Sequence, residues 1–212
     1  MRRAFVVAAF AAAMATAGDV SAQAFQFGPM AGVSIANFSG DDAEDSDSRT
    51  GLFAGAQVVW QSPGALFGLE TGAAYVQKGA TIQDDIEGEG TIELSYIEVP
   101  VLLRVAPPMG SSSFTPAFAL GASVGFEVGC NLSGEGDGVD VDVDCEEAEV
   151  ETKSVDFGLT ASAGVDVPVG GMTLAPFVRY THGLTNIPDE GAEDTDVKNS
   201  VIMIGAGLRF GR

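Results

Sequence analysis

Basic residues are scarce in this chain: 10 Lys and Arg stand against 30 Asp and Glu in 212 residues, which gives a net charge of −20 at pH 7. A surface with that charge repels phosphate backbones, so nucleic acid is excluded as a partner. His182 is the single histidine. It has no second base or nucleophile near it in the sequence, and the chain has neither a phosphate-binding loop nor an H-E-x-x-H motif. We therefore expect no catalytic residues, no metal site and no cofactor.

Cysteine is almost absent, with Cys130 and Cys145 the only two. Structural zinc takes four ligands, so two cysteines alone do not make a zinc site. In an exported chain an even pair favours a disulfide, which would close one loop and contribute about 3 kcal/mol in the chain-entropy model. Two free thiols are the alternative, because the pairing depends on an oxidising compartment.

Long apolar runs are missing after the first residues: no later segment has 18 uninterrupted apolar residues, so none is predicted to span a membrane as a helix. The first residues are different. Two arginines at positions 2 and 3, an apolar run over 4–17 and the sequence Ser-Ala-Gln-Ala at 21–24 are the three parts of a secretory signal peptide. We expect residues 1–24 to be removed and residues 25–212 to form one exported domain. A retained anchor helix is the alternative.

What the mature chain does have is alternation with a period of two. Ile97, Val99 and Val101, for example, alternate with Glu98 and Pro100. Such alternation predicts strands with one apolar and one polar or small face. Eight segments show it, and each is long enough to cross a bilayer as a tilted strand, which takes about 9–11 residues. We predict an all-β fold, an eight-stranded antiparallel up-and-down transmembrane β-barrel, with strands at 25–39, 50–61, 65–81, 91–106, 113–130, 151–168, 172–186 and 198–210.

The connections between these segments alternate as well. Three are short and rich in Gly and Pro, whereas the other four, at 40–49, 82–90, 131–151 and 188–197, hold 23 of the 30 acidic residues. Bacterial outer-membrane barrels alternate short periplasmic turns with longer outer loops. The pattern predicts a periplasmic N-terminus and acidic extracellular loops.

Nine charged residues fall on the face opposite the aliphatic one, which is the interior of the predicted barrel. Isolated buried charge is costly, so we expect these side chains to pair with one another and fill the lumen. A narrow conducting path is the functional alternative, although the interiors of barrels with about eight strands are usually filled by side chains. The nine residues are Glu70, Lys78, Glu98, Arg104, Glu127, Asp156, Asp166, Arg179 and Arg209.

The third acidic connection contains three alternating aspartates, Asp140, Asp142 and Asp144. They make a candidate cation or partner site. An EF-hand is excluded, because Cys145 stands at the sixth position, where the loop needs glycine. The alternation with valine instead suggests a β-hairpin extension with the aspartates on one face, and a solvated acidic loop is the simplest interpretation.

Four stretches also resemble a known family, the small outer-membrane β-barrel proteins labelled porin-family or PorT-type. They are 32–40 (GVSIANFSG), 75–80 (YVQKGA) with 96–103 (YIEVPVLL), 179–187 (RYTHGLTNI) and 198–201 (KNSV). The resemblance covers nearly all of the mature chain and implies an eight-stranded barrel without a settled activity. One departure is that Gly211 and Arg212 follow Phe210, whereas such barrels usually end on the aromatic residue.

These observations predict an integral outer-membrane protein with a structural or surface-interaction role. Its expected partners are outer-membrane lipid, the barrel-insertion machinery, and divalent cations or an extracellular partner at the acidic loops. The alternatives are a narrow porin-like channel for small solutes and a secreted soluble β-barrel that binds an apolar ligand. The outward aliphatic stripe from Ile97 to Val105 argues against the soluble alternative, because soluble proteins rarely expose such a band.

Overall fold

The structure, a computed structural model, describes residues 25–40, 43, 46–84, 88–109, 113–136, 139–145, 152–187 and 196–211. Within 82–89 and 135–142 only the backbone is described. The predicted signal peptide, residues 1–24, lies outside these ranges. Across the described residues there is no helix with the length and apolar character needed to cross a bilayer.

The described chain is built from strands joined by turns and loops. Eight of the nine strands are between 14 and 22 residues long, and the sixth has 6 residues. In chain order they are β1 (Phe25–Ser39), β2 (Ser46–Trp60), β3 (Phe67–Asp84), β4 (Gly88–Val105), β5 (Thr115–Gly136), β6 (Val139–Asp144), β7 (Val155–Val169), β8 (Met172–Asn186) and β9 (Lys198–Gly211).

The long strands close into a barrel. Each pairs antiparallel with the next along the chain, β5 pairs with β7, and β9 returns to pair with β1. Closure gives every long strand a paired neighbour on both sides, and such pairing is what allows strands to lie in hydrocarbon. The predicted eight-stranded antiparallel barrel is confirmed.

β6 is an addition to that barrel. It pairs with the far end of β5 over Asn131–Gly136, beyond the point where β5 pairs with β7. The hairpin suggested by the alternation at 139–144 is therefore present. Three strand ends lie inside the loops predicted at 40–49, 82–90 and 131–151: β2 begins at Ser46, β3 ends at Asp84 and β5 ends at Gly136. Backbone pairing continues past the apolar pattern, because acidic side chains in water do not prevent it.

The barrel has two unlike ends. The first, which we call the turn end, carries the β2–β3, β4–β5 and β7–β8 connections. At the β7–β8 connection Gly170 and Gly171 have φ of 57° and 88°, so a two-residue turn joins Val169 to Met172. A tight hairpin turn of this kind needs positive φ at both positions, which glycine adopts without strain. The opposite end, the loop end, carries the other four connections and the β5–β6 hairpin.

The outward face of the barrel is apolar and exposed. Near the turn end it carries aromatic side chains, and aromatic side chains recur towards the loop end, with aliphatic ones between the two groups. The first aromatic group is Phe25, Phe27, Trp60, Phe67 and Phe210; the second is Tyr75, Phe126, Phe157 and Tyr180; the aliphatic residues include Leu52, Leu69, Val101, Leu103, Leu120, Leu159, Val178 and Ile204. Two aromatic girdles around an apolar band are the pattern expected of a barrel in a bilayer.

The inward face holds one apolar cluster around Phe53, whose ring is 5.8 Å from that of Phe177. The Phe53 ring needs glycine on two other strands. A Cβ atom at Gly205 on β9 would lie 2.5 Å from the ring, and one at Gly32 on β1 would lie 2.8 Å from it. Glycine at these two positions of the alternating pattern therefore makes room for a lumen side chain.

Replacing Gly205→Val should lower the free energy of unfolding by about 1–3 kcal/mol, because the added atoms overlap Phe53 in a packed interior. Ala206→Val is the matched control, since it adds carbon to the neighbouring outward position. Urea unfolding in detergent micelles measures both variants. Equal effects from the two would contradict the packing described here.

Candidate functional site: the lumen charge network and the acidic hairpin

Five charged side chains form a connected group in the turn-end half of the lumen, which we call the turn-end cluster. Glu70 on β3 joins two arginines: its carboxylate lies 3.0 Å from Arg104 Nη1 and 2.6 Å from Arg179 Nη2. Asp166 on β7 joins Arg104, at 2.5 Å, to Arg209 on β9. The result is one continuous chain of ion pairs that crosses the barrel interior and joins five strands, β3, β4, β7, β8 and β9.

A second group lies towards the loop end, the loop-end cluster of Lys78, Glu98, Asp156 and Glu127. Lys78 Nζ is 2.9 Å from Glu98 and 3.5 Å from Asp156. The same ammonium lies 4.9 Å from the centre of the Tyr96 ring. Lys78 and Glu98 are each 2% exposed, so this pair is fully withdrawn from solvent.

Hydrogen bonds from neutral groups complete the loop-end cluster. The Tyr96 hydroxyl donates to Glu127 at 3.3 Å, and Thr152 donates to the other Glu127 oxygen at 2.8 Å. Asn199 donates to Asp156 and to the Tyr96 hydroxyl, each at 3.4 Å. Glu127, which has no basic partner among these contacts, is therefore held by hydroxyl donors.

Between the clusters the lumen is occupied by hydroxyl and apolar side chains. Thr160 hydrogen-bonds to Ser123 and to Thr181, each at 3.0 Å, and Thr181 donates to Glu98 at 3.2 Å. The apolar cluster around Phe53 fills the rest of this level, and Arg179 lies 5.1 Å from the centre of the Phe177 ring. Side chains therefore occupy the barrel interior from one cluster to the other.

The two clusters differ in sign. The turn-end cluster sets three arginines against two carboxylates, and the loop-end cluster sets one lysine against three. Taking a charge out of water is costly, and the cost is recovered only where an opposite charge and further hydrogen bonds meet it. Removing Glu70, for example, would leave Arg179 in a buried site without the carboxylate it pairs with.

Open space in the lumen is found at the turn end. A cavity of about 300 Å³ opens there between the β2–β3 and β4–β5 connections, with Gln26, Gln61 and Asp166 on its wall. A further space of about 20 Å³ lies beside Glu70, Arg104 and Arg209, room for about one water molecule. The cavity at the turn end thus narrows sharply where the turn-end cluster begins.

The acidic hairpin stands at the loop end and is closed by the predicted disulfide. Cys130 on β5 and Cys145 after β6 are bonded, with their Cα atoms 5.5 Å apart, and the Cys145 amide donates to the Cys130 carbonyl at 3.1 Å. Cys145 is buried. The cross-link joins the two strands at the base of the hairpin, where it leaves the barrel.

Asp140, Asp142 and Asp144 all lie on β6. Alternate residues of a strand are roughly 7 Å apart, so the extended backbone spaces the three aspartates along an edge and does not gather them around one ion. Asp144 is exposed; for Asp140 and Asp142 only the backbone is described. Within the described ranges, no group of three His, Cys, Asp or Glu side chains is arranged to hold a metal ion.

The structure places all nine of the charged residues predicted for the lumen on the inward face and brings them into the two clusters. Sequence reasoning did not find their neutral partners Tyr96, Asn199 and Thr181, because period-two alternation marks inward positions without showing which strands meet. It also missed the contact of His182, whose Nδ1 lies 3.3 Å from Ser200 Oγ on the outward face. Strand pairing brings these two together across 18 residues of sequence.

Glu70→Gln should lower the free energy of unfolding by about 3–5 kcal/mol, since in a buried site Arg179 would lose its carboxylate partner and Arg104 would keep only Asp166. Glu93→Gln is the control. Glu93 pairs with Arg49 but is 39% exposed, and exposed pairs contribute about 0–1 kcal/mol. Urea titration in micelles compares the two, and a loss at Glu70 no larger than at Glu93 would contradict the role given to the turn-end cluster.

The double variant Cys130→Ser/Cys145→Ser should leave the barrel intact and loosen the hairpin only, because the bond closes a loop of 15 residues outside the closed sheet. We expect faster amide hydrogen exchange over β6 with unchanged exchange in β8. Exchange followed by mass spectrometry is the measurement. Equal acceleration in both strands would show that the disulfide supports the barrel itself.

The chain matches a known protein family and is similar to several solved structures. Residues 20–189 match the family described as outer membrane protein beta-barrel domain. Similar solved structures include Escherichia coli outer membrane protein W (19% identity, TM-score 0.42, covering 90% of this chain and 100% of that one). Others are the Yersinia pestis attachment invasion locus protein Ail (14%, 0.41, 87% and 98%) and the outer membrane enzyme PagL (12%, 0.35, 86% and 98%). No curated protein sequence matches the chain. The chain belongs to the outer membrane protein β-barrel domain family and is a protein of the outer membrane.

Proposed function

We propose that this protein is a non-enzymatic outer-membrane barrel with a filled lumen, and that its work is done by the acidic, disulfide-closed β5–β6 hairpin at the cell surface. The barrel anchors and orients the hairpin. Outer-membrane lipid is the partner of the apolar belt, and the insertion machinery is the partner during assembly. An extracellular partner or divalent cations meet the acidic loop end.

The observation that carries the proposal is the occupied lumen. Arg209 is 1% exposed, Lys78 and Glu98 are 2% exposed, and the Phe53 cluster lies between the two charged groups. A path for solutes would have to displace ion pairs that hold several strands together. The channel alternative therefore requires breaking the interactions that support the barrel.

The outward face argues against a soluble barrel with an internal apolar ligand. Val101 and Leu103, within the aliphatic stripe of β4, are 55% and 54% exposed. Water would make that surface a site of aggregation, whereas lipid makes it neutral. The interior is also the wrong chemistry for an apolar ligand, because it contains two charged clusters.

We propose that the turn end faces the periplasm and the loop end faces the outside. Short turns lie on the periplasmic side of bacterial barrels and longer loops on the outer side. The hairpin extension and the acidic connections are at the loop end, so this orientation would put most of the protein's negative charge on the cell surface. β9 continues its pairing through Phe210 to Gly211, and Phe210 lies on the outward face near the turn end.

Epitope tags test the orientation and the presentation of the hairpin. One variant carries the tag in the β5–β6 connection at 137–138, and the matched control carries the same tag in the β4–β5 connection at 110–112. We expect antibody to bind the first variant on intact cells and the second only after the outer membrane is permeabilised.

The reverse labelling pattern would overturn the proposed orientation and with it the surface role. Both variants are first checked for the shift between boiled and unboiled samples on a cold SDS gel, which reports a folded barrel. This check ensures that absent labelling reflects location and is not caused by a failure to fold.

A further inference from the structure

β6 is the edge of a sheet that projects beyond the barrel. It pairs with β5 and with no other strand in the described ranges. It occupies the same side of β5 as β7, further along the strand and away from the barrel wall. A strand at an edge presents unpaired backbone groups that can accept another strand.

The backbone of β6 shows which of its residues face that edge. The Cys145 amide donates to Cys130, so this residue pair is of the hydrogen-bonded kind, and its Cα separation of 5.5 Å agrees. Hydrogen-bonding direction alternates along an antiparallel strand. Val139, Val141 and Val143 therefore direct their N–H and C=O groups towards β5, whereas the three aspartates direct theirs towards the free edge.

The free edge thus offers three N–H and three C=O groups, all from aspartates that share one face of the strand. Charges on an edge strand normally discourage pairing, and here they select against particular partners. A second copy of β6 would set aspartates opposite aspartates, and like charges directly opposite destabilise a strand pair. A strand with basic residues at those positions gains both the backbone hydrogen bonds and opposite-charge pairs.

We propose that the free edge of β6 accepts one extended strand from a partner protein, with Lys or Arg at alternate positions facing the aspartates and β-branched residues facing the valines. This inference rests on the proposed surface role of the hairpin and names the chemistry of its partner. The Cys130–Cys145 bond holds the template strand in place before binding, which reduces the entropy lost on association.

Binding of a labelled hexapeptide of alternating lysine and valine to the full protein in micelles, followed by fluorescence anisotropy, tests the proposal. Two control peptides separate charge from strand addition. The first control, the segregated peptide, has three lysines followed by three valines. The second control is the alternating peptide with N-methyl groups on the lysine amides, which would otherwise face the β6 edge. We expect each control to bind at least about tenfold more weakly, because each loses hydrogen bonds or charge pairs that contribute several-fold apiece.

Two substitutions at one residue separate the same effects on the protein. Asp142→Asn removes the charge and keeps the N–H at the free edge. Asp142→Pro removes both, and proline is tolerated on an edge strand where the N–H points away from the neighbouring strand. We expect Asp142→Pro to bind the alternating peptide about fivefold to tenfold more weakly than Asp142→Asn, from the loss of one hydrogen bond.

Equal binding of the alternating peptide, the peptide with three lysines followed by three valines, and the N-methylated peptide would overturn the proposal, since attraction between charges alone explains that result. Absence of binding would overturn it as well. Each variant is checked for heat-modifiability and for an intact disulfide, so that unfolding is not mistaken for lost affinity.

The outcome is distinguishable from failure of the proposed function. Micelles leave both ends of the barrel accessible, so peptide binding does not depend on orientation. A tag detected on intact cells together with no peptide binding would leave the surface role standing and remove this partner. A tag found on the periplasmic side together with specific peptide binding would remove the surface role and leave the strand-accepting edge of β6 standing.

Discussion

Buried charge in the lumen is the constraint on which the other features depend. The carboxylate of Glu70 holds Arg104 and Arg179, and Asp166 extends the same chain to Arg209. These contacts join strands that are distant in sequence and not all adjacent in the barrel wall. Closing the sheet brings the charges together, and pairing the charges favours the closed sheet over an open one. Because arginine can donate in several directions, Arg104 contacts two carboxylates at once and continues the chain of pairs across the lumen.

In the proposed function, the barrel and the hairpin have separate roles. The barrel places apolar side chains outward against lipid and occupies its own interior, so neither surface is free for specific recognition of a soluble partner. The hairpin leaves the barrel at Cys130 and carries β6 into water, with its one described partner strand on one side only. The acidic residues at the loop end therefore add charge to the water-exposed part of the protein. They add none to the wall that faces lipid.

Much of the fold follows from local pattern. Period-two alternation predicts β1 and β8 with the bounds that the structure has, 25–39 and 172–186. At the loop end, β2, β3, β4 and β5 were predicted too short, whereas β7 was predicted to begin at 151 and begins at Val155. There the pairing of backbones, which the pattern does not encode, decides where a strand stops. The same alternation marks the inward positions, and it therefore also predicts the nine lumen charges. It does not predict their pairing, since whether Lys78 meets Asp156 depends on the stagger of strands around the whole barrel.

Conductance of the purified protein in a planar lipid bilayer tests whether the paired charges and the Phe53 cluster close the lumen. We expect no reproducible single-channel steps from heat-modifiable protein, because the ion pairs that would have to open also hold the wall together. Stable openings of uniform size, seen with folded protein and absent with boiled protein, would show a continuous water path through the barrel and would contradict it.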